Sequence, residues 1–206
     1  MKRAGALPRV SDAVGRLTRT NSEALDGAVA VAVPASLELA RGVAITTSFH
    51  IDASTHVENV RYGPGSNLMG ALASIMVPGD RGLGRRLASL IGQFVRAPIR
   101  QLRLGSLRRW SERGIIALVM QTVDNSLSLS LRRRFGRLVM TSAQGHGEPN
   151  PSHLPQAHRA AAAIAARVEE EGGVPAAARG SWPEVFGIPL TCLLYTSDAA
   201  DDSLRV

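Results

Sequence analysis

Glu58 lies in the run Thr55-His56-Val57-Glu58-Asn59-Val60-Arg61-Tyr62, where side chains of a strand alternate between two faces. That period puts His56, Glu58, Val60 and Tyr62 on one face and Val57, Asn59 and Arg61 on the other. The carboxylate then has no fully positive neighbour on its face unless His56 is protonated. Such a group is either a paired structural charge or an acid–base group. A second set joins His146 and Glu148 to His153 and His158. Metal ligands on one helix face sit three or four residues apart, and His153 and His158 are five apart, so no metal site is expected. The His146-x-Glu148 pair resembles a zinc deaminase pattern, but that chemistry also needs a Cys-x-x-Cys pair, and Cys192 is the lone cysteine. No Gly-x-Ser-x-Gly elbow is present for a serine hydrolase.

Charged and small residues give weaker signals. Arg108-Arg109 and Arg132-Arg133-Arg134 can touch phosphates, which makes a basic module for nucleic acid or an anionic surface the alternative reading. Aromatic residues are 4% of the chain, too sparse for base stacking, so solvated arginine faces and no nucleic-acid partner are expected. The net charge of +7 rests on arginine, with Lys2 the lone lysine, as GC-rich coding produces. Gly63, Gly65, Gly70, Gly82 and Gly84 lack the strand–turn–helix spacing of a nucleotide loop.

The elements that must position these residues follow from pattern. Val43–His50 and Thr55–Tyr62 form a hairpin, and Gly63-Pro64-Gly65 turns into a helix over Ser66–Met76. Ala28–Val33 suits a strand that Pro34 ends or confines to an edge. Arg81–Arg96 is an amphipathic helix with Leu83, Leu87, Leu90, Ile91 and Phe94 as its apolar stripe and Arg81, Arg85 and Arg86 in water, followed by a helical piece over Ile99–Glu112. Ile115–Val123 is apolar enough for a buried central strand. With Ser126–Leu131 and Arg137–Met140 it predicts a three-strand meander, ending in a loop at Gln144–Pro151. Ser152 then caps a helix over His153–Glu171 that Gly172-Gly173 stops. Strands and helices in separate blocks predict an α+β fold, an antiparallel β-sheet with helices packed on one side.

At 206 residues and 45% hydrophobic the chain can bury a core. One cysteine excludes an internal disulfide framework, and no apolar run reaches the ~20 residues of a membrane span. With no signal peptide seen, a cytoplasmic location is expected.

Six ordered blocks carry a resemblance: Leu17–Glu23, Arg41–Thr46, Thr55–Gly63, Gly65-Ser66-Asn67 with Met69-Gly70, Met120-Gln121-Thr122 with Asp124-Asn125-Ser126, and Gly145–Pro151. Together they resemble the cholesterol-oxidase-like branch of the glucose-methanol-choline (GMC) flavin oxidoreductases, over about Leu7 to Thr191. The resemblance implies a flavoprotein that binds FAD through a Gly-rich βαβ unit and passes a hydride from a sterol or other bulky alcohol to the flavin. It makes Glu58, in Val57-Glu58-Asn59-Val60, the match for a glutamate that shuttles a proton during steroid double-bond isomerisation. A carboxylate desolvated by an apolar pocket is a stronger base.

By the same resemblance, the flavin-binding glycines fall before Met1 and a substrate-orienting histidine and asparagine after Thr191. Residues 1–25 are then expected to be a remnant of the connection to a flavin domain, and 26–191 a partial substrate-binding domain. Cys192–Asp202 looks like a translated sequencing adaptor, so 192–206 is expected to be a non-native tail. As an internal fragment, the isolated chain is expected to bind no FAD and to be inactive.

Overall fold

The structure is a computed structural model that describes Arg9, Ser11 and residues 13–190. Expectations about Met1–Pro8 and the tail 192–206 lie outside the described residues. Among the described residues there are eight strands: β1 (Ala24–Ala30), β2 (Ile45–His50), β3 (Thr55–Val60), β4 (Ala73–Ile75), β5 (Gly114–Gln121), β6 (Asn125–Arg134), β7 (Arg137–Gly147) and β8 (Ala176–Ser181). Four α-helices accompany them: α1 (Leu83–Arg96), α2 (Pro98–Gly105), α3 (Pro155–Gly172) and α4 (Trp182–Phe186). Six strands make one sheet in the order β2-β3-β5-β1-β8-β4, every pairing antiparallel. The α+β class with an antiparallel sheet is therefore the observed one.

α3 covers one face of this sheet. Its Leu154 shoulder, Ala157 and Ala160 pack on Ala24, Val57, Ala117 and Val119, and Val168 packs on Ala30 and Ala176. Small residues on both sides let helix and sheet approach closely. On the other face, Val29 meets Leu104 of α2 and Trp110 of a short 3-10 turn, and the middle of that face stays open. Two buried arginines tie loops to this frame. Arg86 donates to the carbonyls of Arg81, Gly79 and Glu184, and Arg113 to those of Arg108, Ala30, Arg103 and Ser106.

Several elements differ from the pattern reading, each for a tertiary reason. β1 starts four residues earlier than expected and is central, hydrogen-bonded to β5 and β8, with Pro34 beyond its end. The helix expected over Ser66–Met76 is a 3-10 turn at Asn67–Leu72 followed by β4, because Ala73–Ile75 pair with Ser181–Arg179. The helix expected over Ile99–Glu112 stops at Gly105, where Ser106 turns extended and Arg109 enters a left-handed conformation (φ 51°).

The meander is also split. β5 stays in the main sheet while β6 and β7 form a separate two-stranded ribbon, since buried Asn125 donates to Ser22 Oγ at 2.6 Å and turns the chain away. β7 runs on through Gly147, absorbing half of the expected loop. Phe135 and Gly136 join the ribbon with φ of 49° and 77°, a primed hairpin turn. Arg86 is buried rather than solvated, and Leu83, Ile91 and Phe94 of the apolar stripe are exposed. Ser152 does not cap α3: Leu154 holds that position with Pro155 at the first turn, and Ser152 Oγ accepts from Arg86 at 3.2 Å. Gly173 closes α3 with φ 64°, as expected of Gly172-Gly173.

Candidate functional site

β3 presents its side chains as the alternation required. Val57, fully buried against α3, marks the covered face, so His56, Glu58 and Val60 lie on the open one. Glu58 is half-buried, opposite Ser48 of β2 and Leu118 of β5, and Leu118 in turn opposes Leu25 of β1. Strands sit about 4.8 Å apart, which puts Glu58 roughly 10 Å along the sheet from Leu25. His56 meets His50 with ring centroids 5.6 Å apart on the same side.

Leu25 belongs to a cavity of about 280 Å³ on this open face. Its floor is Leu25, Gly27, Val29, Ile116 and Arg179, and its walls include Met69, Trp110 and Trp182. The lining is overwhelmingly apolar, the character of a small-molecule site. Charged residues reach it as well: Glu23, 4% exposed, is among its lining, and the guanidinium of Arg179, only 6% exposed, donates to Gln101 Oε1 at 3.0 Å. Burial, helped by the charges of Arg100 and Arg113, brings its pKa down to about 10, so it is still cationic at neutral pH.

On the covered face the structure brings together three groups that the sequence reading did not combine. His158 of α3 points Nε2 at Asp26 Oδ2 (3.8 Å) and Glu184 Oε1 (3.4 Å). Glu184 reaches this place because Ser181 and Glu184 form a capping box, Ser181 N–H donating to Oε2 at 3.1 Å. Burial, then the charge of Glu184 and the hydrogen bond to it, push Asp26 well above the usual carboxylate range. Burial raises Glu184 as well, but hydrogen bonds with His158 and Asp26, the His158 charge and the Ser181 N–H outweigh it and leave Glu184 low. Two carboxyls in one dry site repel each other, and that repulsion adds to burial in raising Asp26. Two signals were legible: Asp26 is a lone charge in an otherwise small and apolar strand, and Ser181-x-x-Glu184 is a capping-box pattern.

The other sequence candidates stay apart from these sites. His153 and His158 are neighbours, ring centroids 6.2 Å apart, but His146 and Glu148 lie by the ribbon, where the His146 backbone bonds Ser126 Oγ in both directions. Burial, His158 and Arg86 lower the pKa of His153. Arg109 pairs with Glu112, while Arg132–Arg134 are exposed on β6. Among the described residues no helix is long and apolar enough to cross a membrane.

No family model and no solved structure matches the chain. Among curated proteins, "Cholesterol oxidase" of Mycobacterium tuberculosis is 44% identical over 198 residues in two strains, CDC 1551 / Oshkosh and H37Rv, covering 93% of this chain and 33% of that protein. "Cholesterol oxidase" of Acinetobacter baumannii is 32% identical over 162 residues, covering 77% of this chain and 28% of its own length. This chain is thus related to cholesterol oxidases, and it spans about a third of the length of those it matches.

Proposed function

We propose that residues 26–191 are part of the substrate-binding portion of an FAD-dependent GMC-type oxidoreductase, and that the open-face cavity takes the apolar body of a sterol or other bulky alcohol. The carrying observation is the apolar cavity on the same sheet face as Glu58, in a chain 44% identical to proteins named cholesterol oxidase. Residues 1–25 then lead in from the connection with a flavin domain, their last two, Ala24 and Leu25, already in β1 of the substrate-binding sheet, and 192–206 are a non-native tail. The described residues themselves do not fit a flavin. All their strand pairings are antiparallel, and no parallel strand–helix–strand unit aims helix amides at a pyrophosphate.

Within this reading the chain's own groups have distinct tasks. The cavity walls exclude water from the sterol rings, and burying about 100 Å² of apolar ligand surface contributes roughly 2.5 kcal/mol. Glu58, on the same face but outside the cavity lining, holds or moves a proton at its carboxylate as the ring system extends toward β3. Trp110 and Trp182 both line the cavity and are the two tryptophans of the chain, so their emission reports binding directly.

Dehydroergosterol added to the 206-residue chain is expected to give saturable energy transfer from tryptophan. Ala73→Phe, placing a ring in the cavity from the short edge strand β4, should weaken it at least tenfold with the circular dichroism spectrum retained. Glu58→Gln should leave binding nearly unchanged. In a complete flavoprotein carrying this segment, the same change should suppress double-bond isomerisation while oxidation continues. Linear, non-saturating transfer, or equal binding by Ala73→Phe, would rule the cavity out.

A further inference from the structure

We propose that Asp26, His158 and Glu184 form a binding site for a divalent cation of the zinc type, on the face of the sheet opposite the cavity. One ligand atom from each of the three lies within 4.8 Å of the others, and two of the separations are 3.4 and 3.8 Å. These distances are long for charge-assisted hydrogen bonds, which close to about 2.7–2.9 Å. They match the edges of a tetrahedron: ligands about 2.1 Å from zinc lie roughly 3.4 Å from one another.

The electrostatics point the same way. The side chains of Asp26 and Glu184 are 0% and 3% exposed, and among the described residues no group outside the three donates to either Asp26 oxygen or Glu184 Oε1 or pairs with His158 Nε2. Arg86, the arginine packed here, spends its donors on backbone carbonyls and Ser152 Oγ and none on either carboxylate. Two carboxylates in a dry site cost several kcal/mol per ion unless neutralised, and a dication neutralises both. Its way in runs past His158, whose side chain is 19% exposed. Gly180 keeps the space clear, since a Cβ there would stand 2.8 Å from Glu184 Oε2 and 3.7 Å from Asp26 Oδ1. A cation held this way joins β1, α3 and the start of α4.

The test titrates EDTA-stripped 206-residue chain with Co2+, followed by Zn2+. One equivalent of Co2+ should develop the intense visible bands of a tetrahedral site and be displaced by Zn2+, and Zn2+ should raise the thermal midpoint of the chain. His158→Gln should bind at least tenfold more weakly and lose the Zn2+-induced shift. His50→Gln, altering the exposed His50–His56 pair, should behave as the parent chain. Should His158→Gln fail to fold, X-ray absorption at the zinc edge of the parent decides, with one imidazole and oxygen ligands expected. The proposal is overturned by a Co2+ spectrum that stays that of the hydrated ion, by binding that follows His50 instead of His158, or by a shell holding two or more imidazoles.

Discussion

Replacing Asp26 by Asn is expected to stabilise the metal-free chain at neutral and alkaline pH. Asp26 is 2% exposed and shares its site with Glu184, so in the folded state its carboxyl holds its proton well above the ordinary value of 3.8. The unfolded chain ionises Asp26 near that ordinary value. Between the two pKa values folding takes up a proton, so stability falls as pH rises from about 4 to the folded pKa and stays low above it. Asn has no such titration, and its amide can donate to Glu184 as the protonated acid does. Urea unfolding in EDTA, followed by the emission of buried Trp110, should show Asp26→Asn more stable than the parent by about 1–4 kcal/mol at pH 8. The difference should vanish near pH 3.5. A variant less stable than the parent at every pH would mean that Asp26 is an ionised, well-compensated group. Excess Zn2+ should reverse the order at pH 8, because the parent then gains a cation that Asn ligates poorly.

Gly27→Ala is expected to have the opposite effect, lowering stability by roughly 3 kcal/mol or preventing accumulation of folded chain. Gly27 is in the middle of β1, paired with Ile116 on one side and Arg179 on the other. A Cβ there would overlap the backbone carbonyl oxygen of Ile115, and a central strand held on both edges has little freedom to move away. The same added methyl would intrude on the cavity floor. Gly92→Ala in α1 is the matched comparison. Its Cβ meets nothing within 4 Å, and alanine in place of glycine inside a helix should add about 0.5–1 kcal/mol. Equal urea midpoints for the two variants would show that the close approach at Gly27 relaxes readily.

The two sites lie on opposite faces of one sheet, and this follows from the two-residue period of β1. Leu25, Gly27 and Val29 supply the cavity floor, while Ala24, Asp26, Ala28 and Ala30 face α3. A one-residue slip of β1 would place Asp26 in the cavity and Leu25 against the helix, so the pairing with β5 and β8 sets both chemistries together.

What the residues determined by themselves is local and periodic. Val57-Glu58-Asn59-Val60 alternates, so Glu58 had to face away from the core that Val57 enters, and the hairpin with β2 followed from the same period. The apolar run Ile115–Val119 required a central strand, and Gly172-Gly173 a helix end. The tertiary structure decided everything that depends on partners distant in sequence. Leu68, Leu72 and Met76 carry a helical spacing, yet Ala73–Ile75 between them is a strand because the exposed edge of β8 offers hydrogen bonds that three residues of helix would not replace. Arg86 reads as a surface charge until the carbonyls of Gly79, Arg81 and Glu184 converge on it. Asp26, His158 and Glu184 are separated by well over a hundred positions from first to last. They meet because α3 packs on β1 and the Ser181 capping box turns Glu184 inward, and no periodicity records a contact made by packing.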